Sequence, residues 1–566
     1  MSLTTTPLYY FAALSGFFTW SFHRIHPVRG DYAAVFYTVC LLALYATTVI
    51  SKIPFPFTVS ITGMGIHALF ALACTVGYRL SPWHPLASYP GPYLWRASSL
   101  FLGRLSFSGR RHLVLDDLHN QYGPFLRIGP NQLSVNTTSS NIMIYGAATH
   151  MEKDDSYITP GHLDALALFF KSKSRDFQAE RKRIWTQAFT SSSQPLKPEN
   201  SVTHFIPALE RRTWELLICF DRRQSDSPNQ TFDLYEALCH WSYDFAGEMV
   251  FGGCNDIELM KRGDPEGLLM GGKNATRLLD SVGQSPWLMD IAWHIPAGKA
   301  MVRLRDVAAA AMRRRVESDA DTTMRDLSSY WLEARSPHGE KIPLTDMELD
   351  AVVAIQAASD NTATTITLAF YFILSSPQDY YQQLQKELDD AFPGRTGPLD
   401  WDILAKLPLL NAIIAETLRL GTPFYLPRVV PKGGATIDSR YIPEGTSVTI
   451  AAYSQQISPQ NFYPDPLGFR AERWLPGGLG PGSITNAAAL FSFSSGPYVC
   501  VAKAFAHQEM RYVIARIVLA YDFQLTKGFN AAAYREGILN MRTTILQEPL
   551  FVIGQRRPGV IIPEDH

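Results

Sequence analysis

Apolar positions are spread unevenly along this chain, and the unevenness divides it. At the N-terminus they run together: Leu8–Phe22, Tyr32–Ile50 and Phe57–Tyr78 are stretches of 15, 19 and 22 residues without an Asp, Glu, Lys or Arg. Crossing the hydrocarbon core of a bilayer takes about 20 apolar residues, about 17 at the short end. The second and third stretches therefore qualify as spans, and the first is marginal. Past residue 80 the rhythm changes. Phe125–Ile128 and Leu133–Val135 read as short strands, and from about Leu163 to Phe392 the spacing is mainly helical, as in Ala351–Ser375 and the charged Gln378–Asp390. Near the C-terminus, pieces such as Ser447–Ile450 alternate with Pro/Gly-rich loops. The elements predicted are mainly α with small β-sheets.

Charge and proline sharpen this division. Arg24 and Arg29 separate the first two apolar stretches, Lys52 alone separates the next two, and Arg79, Arg96, Arg104, Arg110 and Arg111 follow the third. Basic residues collect on the cytosolic side of a membrane. Three spans with a lumenal N-terminus, or two with a cytosolic one, both place everything after Arg79 in the cytosol. A cleaved signal peptide is disfavoured, since nothing basic precedes Leu8. Ser81-Pro82-Trp83-His84-Pro85 and Tyr89-Pro90-Gly91-Pro92 cannot be helical. The predicted organisation is an anchor of two or three transmembrane helices at 1–80, a proline-rich hinge at 81–92 and a soluble part at 93–566. The alternative for the apolar stretches is a set of buried helices in a soluble core.

A formal net charge of −1 over 566 residues gives no reason to expect a nucleic-acid partner. The six cysteines form no CxxC pair and no dense framework, which argues against structural zinc and a disulfide scaffold. Cys500 stands apart, within Phe491-Ser-Phe493-Ser-Ser-Gly496-Pro497-Tyr498-Val-Cys500-Val-Ala502, ahead of a helical pattern from Lys503 to Leu519. A thiol becomes a metal ligand as its thiolate, and the N–H groups opening a helix stabilise that anion. Gly496 would let the backbone approach a flat cofactor, and Phe493 would wall the sulfur from water. By itself, a Cys in a Gly/Pro loop is commonly an inert buried thiol.

The arrangement resembles the haem loop of the cytochrome P450 family, FxxGxRxCxG, at Phe493, Gly496, Cys500 and Ala502; Tyr498 replaces the basic residue and Ala502 the last glycine. Upstream, Glu416-Thr-Leu-Arg419 is similar to the family's ExxR, and Pro466-Leu-Gly-Phe469-Arg-Ala-Glu472-Arg473-Trp474 to its PxxFxPERW. The resemblance implies a buried Glu416, Arg419 and Arg473 cluster of structural role. It places a haem-propionate contact at Arg428, in Leu426-Pro-Arg428, and a weaker one at Lys182, in Gln178-Ala-Glu-Arg-Lys182. Ala357-Ala358-Ser359-Asp360-Asn361-Thr362 resembles the family's AGxDTT oxygen helix, with Asp360 as the acid, Asn361 in the alcohol position and Thr362 one residue later.

These motifs appear in the family's order from about Ser88 to Pro558, in the manner of fungal microsomal members. They imply a cytochrome P450 fold preceded by N-terminal transmembrane helices. The implied protein is a haem-thiolate monooxygenase in the endoplasmic reticulum membrane, its catalytic domain facing the cytosol. Its cofactor would be heme b (iron protoporphyrin IX), with iron on Cys500 and Phe493 and Gly496 beside it. Asp360, Asn361 and Thr362 would serve oxygen activation. The chain shows no flavin or nicotinamide fingerprint after a plausible strand, so electrons would come from an NADPH-cytochrome P450 reductase. Lys503, His507 and Arg511 share a helix face that either docks that partner or is merely solvated. The substrate would be lipophilic, a terpenoid or other specialised metabolite, in a pocket built from Leu163–Phe170 and Pro286–Pro296. Two rivals stay open: a redox-neutral haem-thiolate isomerase or dehydratase, motivated by Asn361 and Ala358, and a non-catalytic haem-binding membrane protein.

Overall fold

A computed structural model describes residues 6–158, 168–171, 175–189, 204–295, 299–318, 325–336, 339–422 and 424–563. The N-terminal apolar stretches form three helices, α1 (Thr6–Ile25), α2 (Gly30–Ile50) and α3 (Pro56–Leu80). The last two are long and apolar enough to cross a membrane. Their large side chains point outward rather than into a core: Val35, Phe36, Val39 and Leu42 on α2 are exposed, as are Leu69 and Leu72 on α3. Small and polar groups sit where the helices meet. Gly16 of α1 leaves no room for a Cβ beside the His67 carbonyl of α3, and the Ser15 hydroxyl lies 2.8 Å from His67 Nδ1. The Arg24 guanidinium caps the Tyr78 ring at 4.4 Å, so the end of α1 and the end of α3 lie on one face.

The rest is a mainly helical body with small sheets. Helices that matter for the cavity below are α4 (Arg175–Phe189), α5 (Leu234–Phe251), α6 (Leu268–Val282), α7 (Pro286–Ala292), α8 (Leu344–Ser375), α9 (Pro408–Gly421) and α10 (Lys503–Ala520). The helix α8 spans 32 residues and is buried along most of its length, and past Asp350 its one charged residue is Asp360. It packs against α5, α9 and α10, and these helices share one large core that includes Trp241, Phe245, Ile366, Phe370, Leu418 and Ile514.

The largest sheet has five strands: β1 (Phe125–Gly129), β2 (Gln132–Val135), β3 (Glu152–Lys153), β4 (Arg428–Val429) and β5 (Ser447–Ile450), in the order β1-β2-β5-β4-β3. Its β2–β5 pair is parallel and the others antiparallel. At the far edge, Lys153 of β3 stands directly opposite Arg428 of β4.

The segment expected to line a substrate pocket, Pro286–Pro296, is placed elsewhere as far as it is described; Pro296 lies outside the described residues. Helix α7 packs against the start of α2. The Gly30 amide donates to Asp290 Oδ2 at 2.9 Å, and Asp31 Oδ2 lies 3.4 Å from His294 Nε2. A Cβ at Gly30 would fall 1.8 Å from the Trp287 carbonyl oxygen, so glycine alone permits this approach. Ser99, just past the hinge, meets Ser285 through their hydroxyls at 2.6 Å. A stretch read as pocket wall is a joint between the apolar helices and the body.

Candidate active site

The loop before α10 is shaped by its backbone. The Cys500 amide donates to the Phe493 carbonyl at 3.0 Å, closing a tight turn. Within it Gly496 has φ +63°, and a Cβ there would lie 1.9 Å from the Tyr145 carbonyl oxygen. Gly496 is thus demanded by a left-handed turn and by close contact with Tyr145, a different reason from the cofactor approach expected of it. Cys500 lies deep in the protein, yet its side chain opens onto a cavity of about 290 Å³. Burial pushes the thiol's pKa up, while the Ala502 amide, Lys182 and Lys503 pull it down. Phe493 lines the same cavity and packs against His507, ring centroids 5.1 Å apart.

To the same cavity α8 presents Ala354, Ala357, Ala358, Asn361, Thr362 and Thr365. Their three- and four-residue spacing is one helix stripe. Alanines keep that wall shallow, and Asn361 and Thr362 give it polarity. Asp360 is not among the lining residues. Successive helix positions turn by about 100°, and the Asp360 carboxyl points toward α5, with Oδ1 3.5 Å from the Tyr243 hydroxyl. Burial raises its pKa to about 6 against the pull of Lys273. Asn361 Nδ2 donates back to the Ala357 carbonyl at 3.1 Å. The Thr362 hydroxyl donates to Glu509 Oε2 at 3.2 Å. Glu509, on α10, is fully buried among the cavity residues, and burial lifts its pKa to about 8. The sequence reading passed over this acid. Its position, four residues after Phe505 and four before Val513 in a buried stripe, was the available signal.

One edge of the cavity is cationic. Lys182 donates to the Pro497 carbonyl at 2.6 Å, in the cysteine loop itself. Arg428 is buried; Nη1 donates to the Pro427 carbonyl at 3.0 Å, while Nε has no partner. Lys153 joins them, and Tyr498 lies beneath both Arg428 and Lys153, its hydroxyl donating to the Glu152 carboxylate. Apolar walls come from Leu168, Phe169, Trp185, Phe245, Val353 and Leu418. Leu168 and Phe169 belong to the expected pocket segment Leu163–Phe170, whose residues 163–167 lie outside the described residues.

Behind the cysteine loop the expected cluster is assembled. Arg419 holds Glu416 bidentately, Nε to Oε2 at 2.8 Å and Nη2 to Oε1 at 2.6 Å, and Arg473 Nε approaches Oε1 at 3.4 Å. All three side chains are fully buried. The Trp474 indole and the Arg470 amide complete the carboxylate's partners at 2.8 and 3.0 Å. The stripe Lys503, His507, Arg511 is only partly open: Lys503 is exposed, His507 packs on Phe493, and Arg511 Nε donates to Asn411 Oδ1 at 2.6 Å.

Comparison with known proteins agrees with this geometry. The family model "Cytochrome P450" matches residues 89–542. Curated relatives include "Cytochrome P450 67" of Uromyces fabae, 28% identical over 94% of this chain and 96% of its own length. The "Cytochrome P450 monooxygenase astJ" of Aspergillus oryzae is 29% identical over 79% of this chain and 88% of its own. "Averantin hydroxylase" of Dothistroma septosporum is 27% identical over 82% and 85%. A cysteine on the floor of a cavity, a buried Glu-Arg-Arg cluster behind it and a family match across most of the chain leave one conclusion: the protein belongs to the cytochrome P450 family and is a haem-dependent monooxygenase.

Proposed function

We propose that the protein hydroxylates or otherwise oxidises a lipophilic small molecule, a terpenoid or other specialised metabolite, using O2 and electrons from NADPH through a cytochrome P450 reductase. It would act at the endoplasmic reticulum membrane, with α1–α3 (1–80) as anchor, 81–92 as hinge and 93–566 as the catalytic domain facing the cytosol. The observation that carries the reading is Cys500 opening into a mostly apolar cavity that Asn361 and Thr362 also line. Relatives named as monooxygenases, and one named averantin hydroxylase, support oxidation of a specialised metabolite.

The residues fit haem (heme b). A sulfur opens into the cavity, the walls are mostly apolar, and one edge carries cations that have no carboxylate partner among the described residues. Bound there, haem supplies a redox-active iron whose thiolate ligand favours O–O cleavage. Cys500 would hold the iron, with the Ala502 amide steadying the sulfur's charge. Phe493 and Gly496 shape the loop so that water is kept from the sulfur. Arg428 and Lys182 would meet the propionates. On α8, Thr362 would expose a proton to the cavity, and Glu509, protonated near neutral pH, would replenish it. Asn361 would hold a water there through its amide. Asp360, facing Tyr243, would act from behind the helix.

A carbon monoxide difference spectrum on membranes, reduced by NADPH through a reductase, tests the reading. The expected result is a red-shifted thiolate Soret band, lost in Cys500→Ala. Its absence from folded protein under chemical reductant would return Cys500 to a buried thiol. Asn361 in the alcohol position favours one second reading, a redox-neutral isomerase or dehydratase, and turnover without NADPH and O2 would select it.

A further inference from the structure

Lys153 is a buried cation placed where ordinary sheet design would avoid it. It pairs across β3–β4 with Arg428, so two like charges stand directly opposite, an arrangement that destabilises a sheet. Both are removed from water: Lys153 is 7% exposed and Arg428 2%. Among the described residues neither has a carboxylate within ion-pair distance, and the same holds for Lys182. Glu152, the neighbouring acid, is held by the Tyr498 hydroxyl instead. Lys153 Nζ reaches the carbonyls of Leu168 and Phe169 at 2.9 and 2.7 Å, which uses two of an ammonium's three donors. Arg428 Nε has no partner at all. Burial and Arg428 together drive the Lys153 pKa well down. An unneutralised pair of buried cations is costly unless an anion joins them.

Among the described residues no carboxylate supplies that anion, and both cations line the cavity, where a bound anion would meet them. Tyr498 occupies the loop position where the family pattern carries a basic residue, and its ring lies under both cations, 5.0 Å from Lys153 Nζ and 4.7 Å from Arg428 Cζ. We propose that Lys153 is a haem-propionate residue, supplying from β3 the charge that position 498 lacks, with Tyr498 as the platform that orients both cations. This rests on the haem-thiolate reading, and on geometry that no motif in the sequence announces.

The test compares release of haem and of its dimethyl ester, whose propionates carry no charge, from full-length protein in detergent. Haem release is followed by transfer to apomyoglobin. Lys153→Met is expected to release haem at least tenfold faster than wild type, with Lys153→Arg close to wild type. For the dimethyl ester the difference between Lys153→Met and wild type should vanish. Adding Tyr498→Arg to Lys153→Met should restore slow release. Equal acceleration for haem and for the ester would show that Lys153 only holds the loop at Leu168 and overturn the proposal, as would unchanged release of both. If Lys153→Met does not fold, Lys153→Gln carries the same comparison, because it keeps a donor for the two carbonyls and removes only the charge. A thiolate band with unchanged release sinks the Lys153 role alone; no thiolate band with any haem sinks the underlying reading.

Discussion

Behind the cysteine loop, the Glu416 carboxylate is held by Arg419, Arg473, the Trp474 indole and the Arg470 amide, all at fixed distances. On α8, by contrast, Asp360, Asn361 and Thr362 have fewer partners among the described residues: Tyr243 and Gln356 for Asp360, Glu509 for Thr362, and the helix's own Ala357 carbonyl for Asn361. The first region uses charge to fix a shape. The second leaves its polar groups with few partners and raises the pKa of its carboxyls by burial, to about 6 at Asp360 and about 8 at the Glu509 that meets Thr362. Substitutions therefore have different meanings in the two regions.

The largest expected effect lies in the first region. Glu416→Gln leaves Arg419 and Arg473 buried without their counter-charge, which costs on the order of 3–5 kcal/mol. Denaturant unfolding and the yield of haem-loaded protein should both fall sharply. Near-normal stability in that variant would dissolve the contrast between the two regions.

The next effect is one of pH. Glu509 titrates near 8 in the fold against an ordinary 4.5. Between those values the folded state keeps a proton that the unfolded chain has lost. Stability therefore falls as pH rises from 4.5 to 8 and is flat above. Asp360, raised to about 6, and Asp350 and Asp244, raised to about 7, act in the same direction. Glu509→Gln should flatten the slope of melting temperature against pH without abolishing it. An unchanged slope would mean that Glu509 is ionised in the fold. The smallest effect belongs to Thr362→Val, which removes one hydrogen bond, about 1 kcal/mol. Melting should barely move, while the ratio of product formed to NADPH consumed should drop.

The contrast also explains what could be read from the sequence. The Glu416, Arg419, Arg473 and Cys500 framework depends on spacings within short segments, and those spacings survive in linear form. On α8 the sequence showed the polar patch but not its phase, and three consecutive positions cannot all face one cavity. Asp360 turned out to face α5. Glu509 looked like an ordinary charge on an amphipathic helix, although its place in the buried stripe marked it. Lys153 reaches the cavity only because β3 pairs with β4, a contact between residues far apart in the chain. The same limit misplaced Pro286–Pro296, whose apolar character fitted a pocket wall as well as a joint.

That joint has a history in time. The Gly30 amide and Asp290 are 260 residues apart in the chain. At about 5–20 residues per second of synthesis, the acceptor emerges on the order of 10–50 s after the donor. Until then the start of α2 has only solvent or its surroundings to satisfy it, and α1–α3 must find their own arrangement. Docking of α7 then becomes possible about halfway through synthesis, joining three finished helices to a body still being completed.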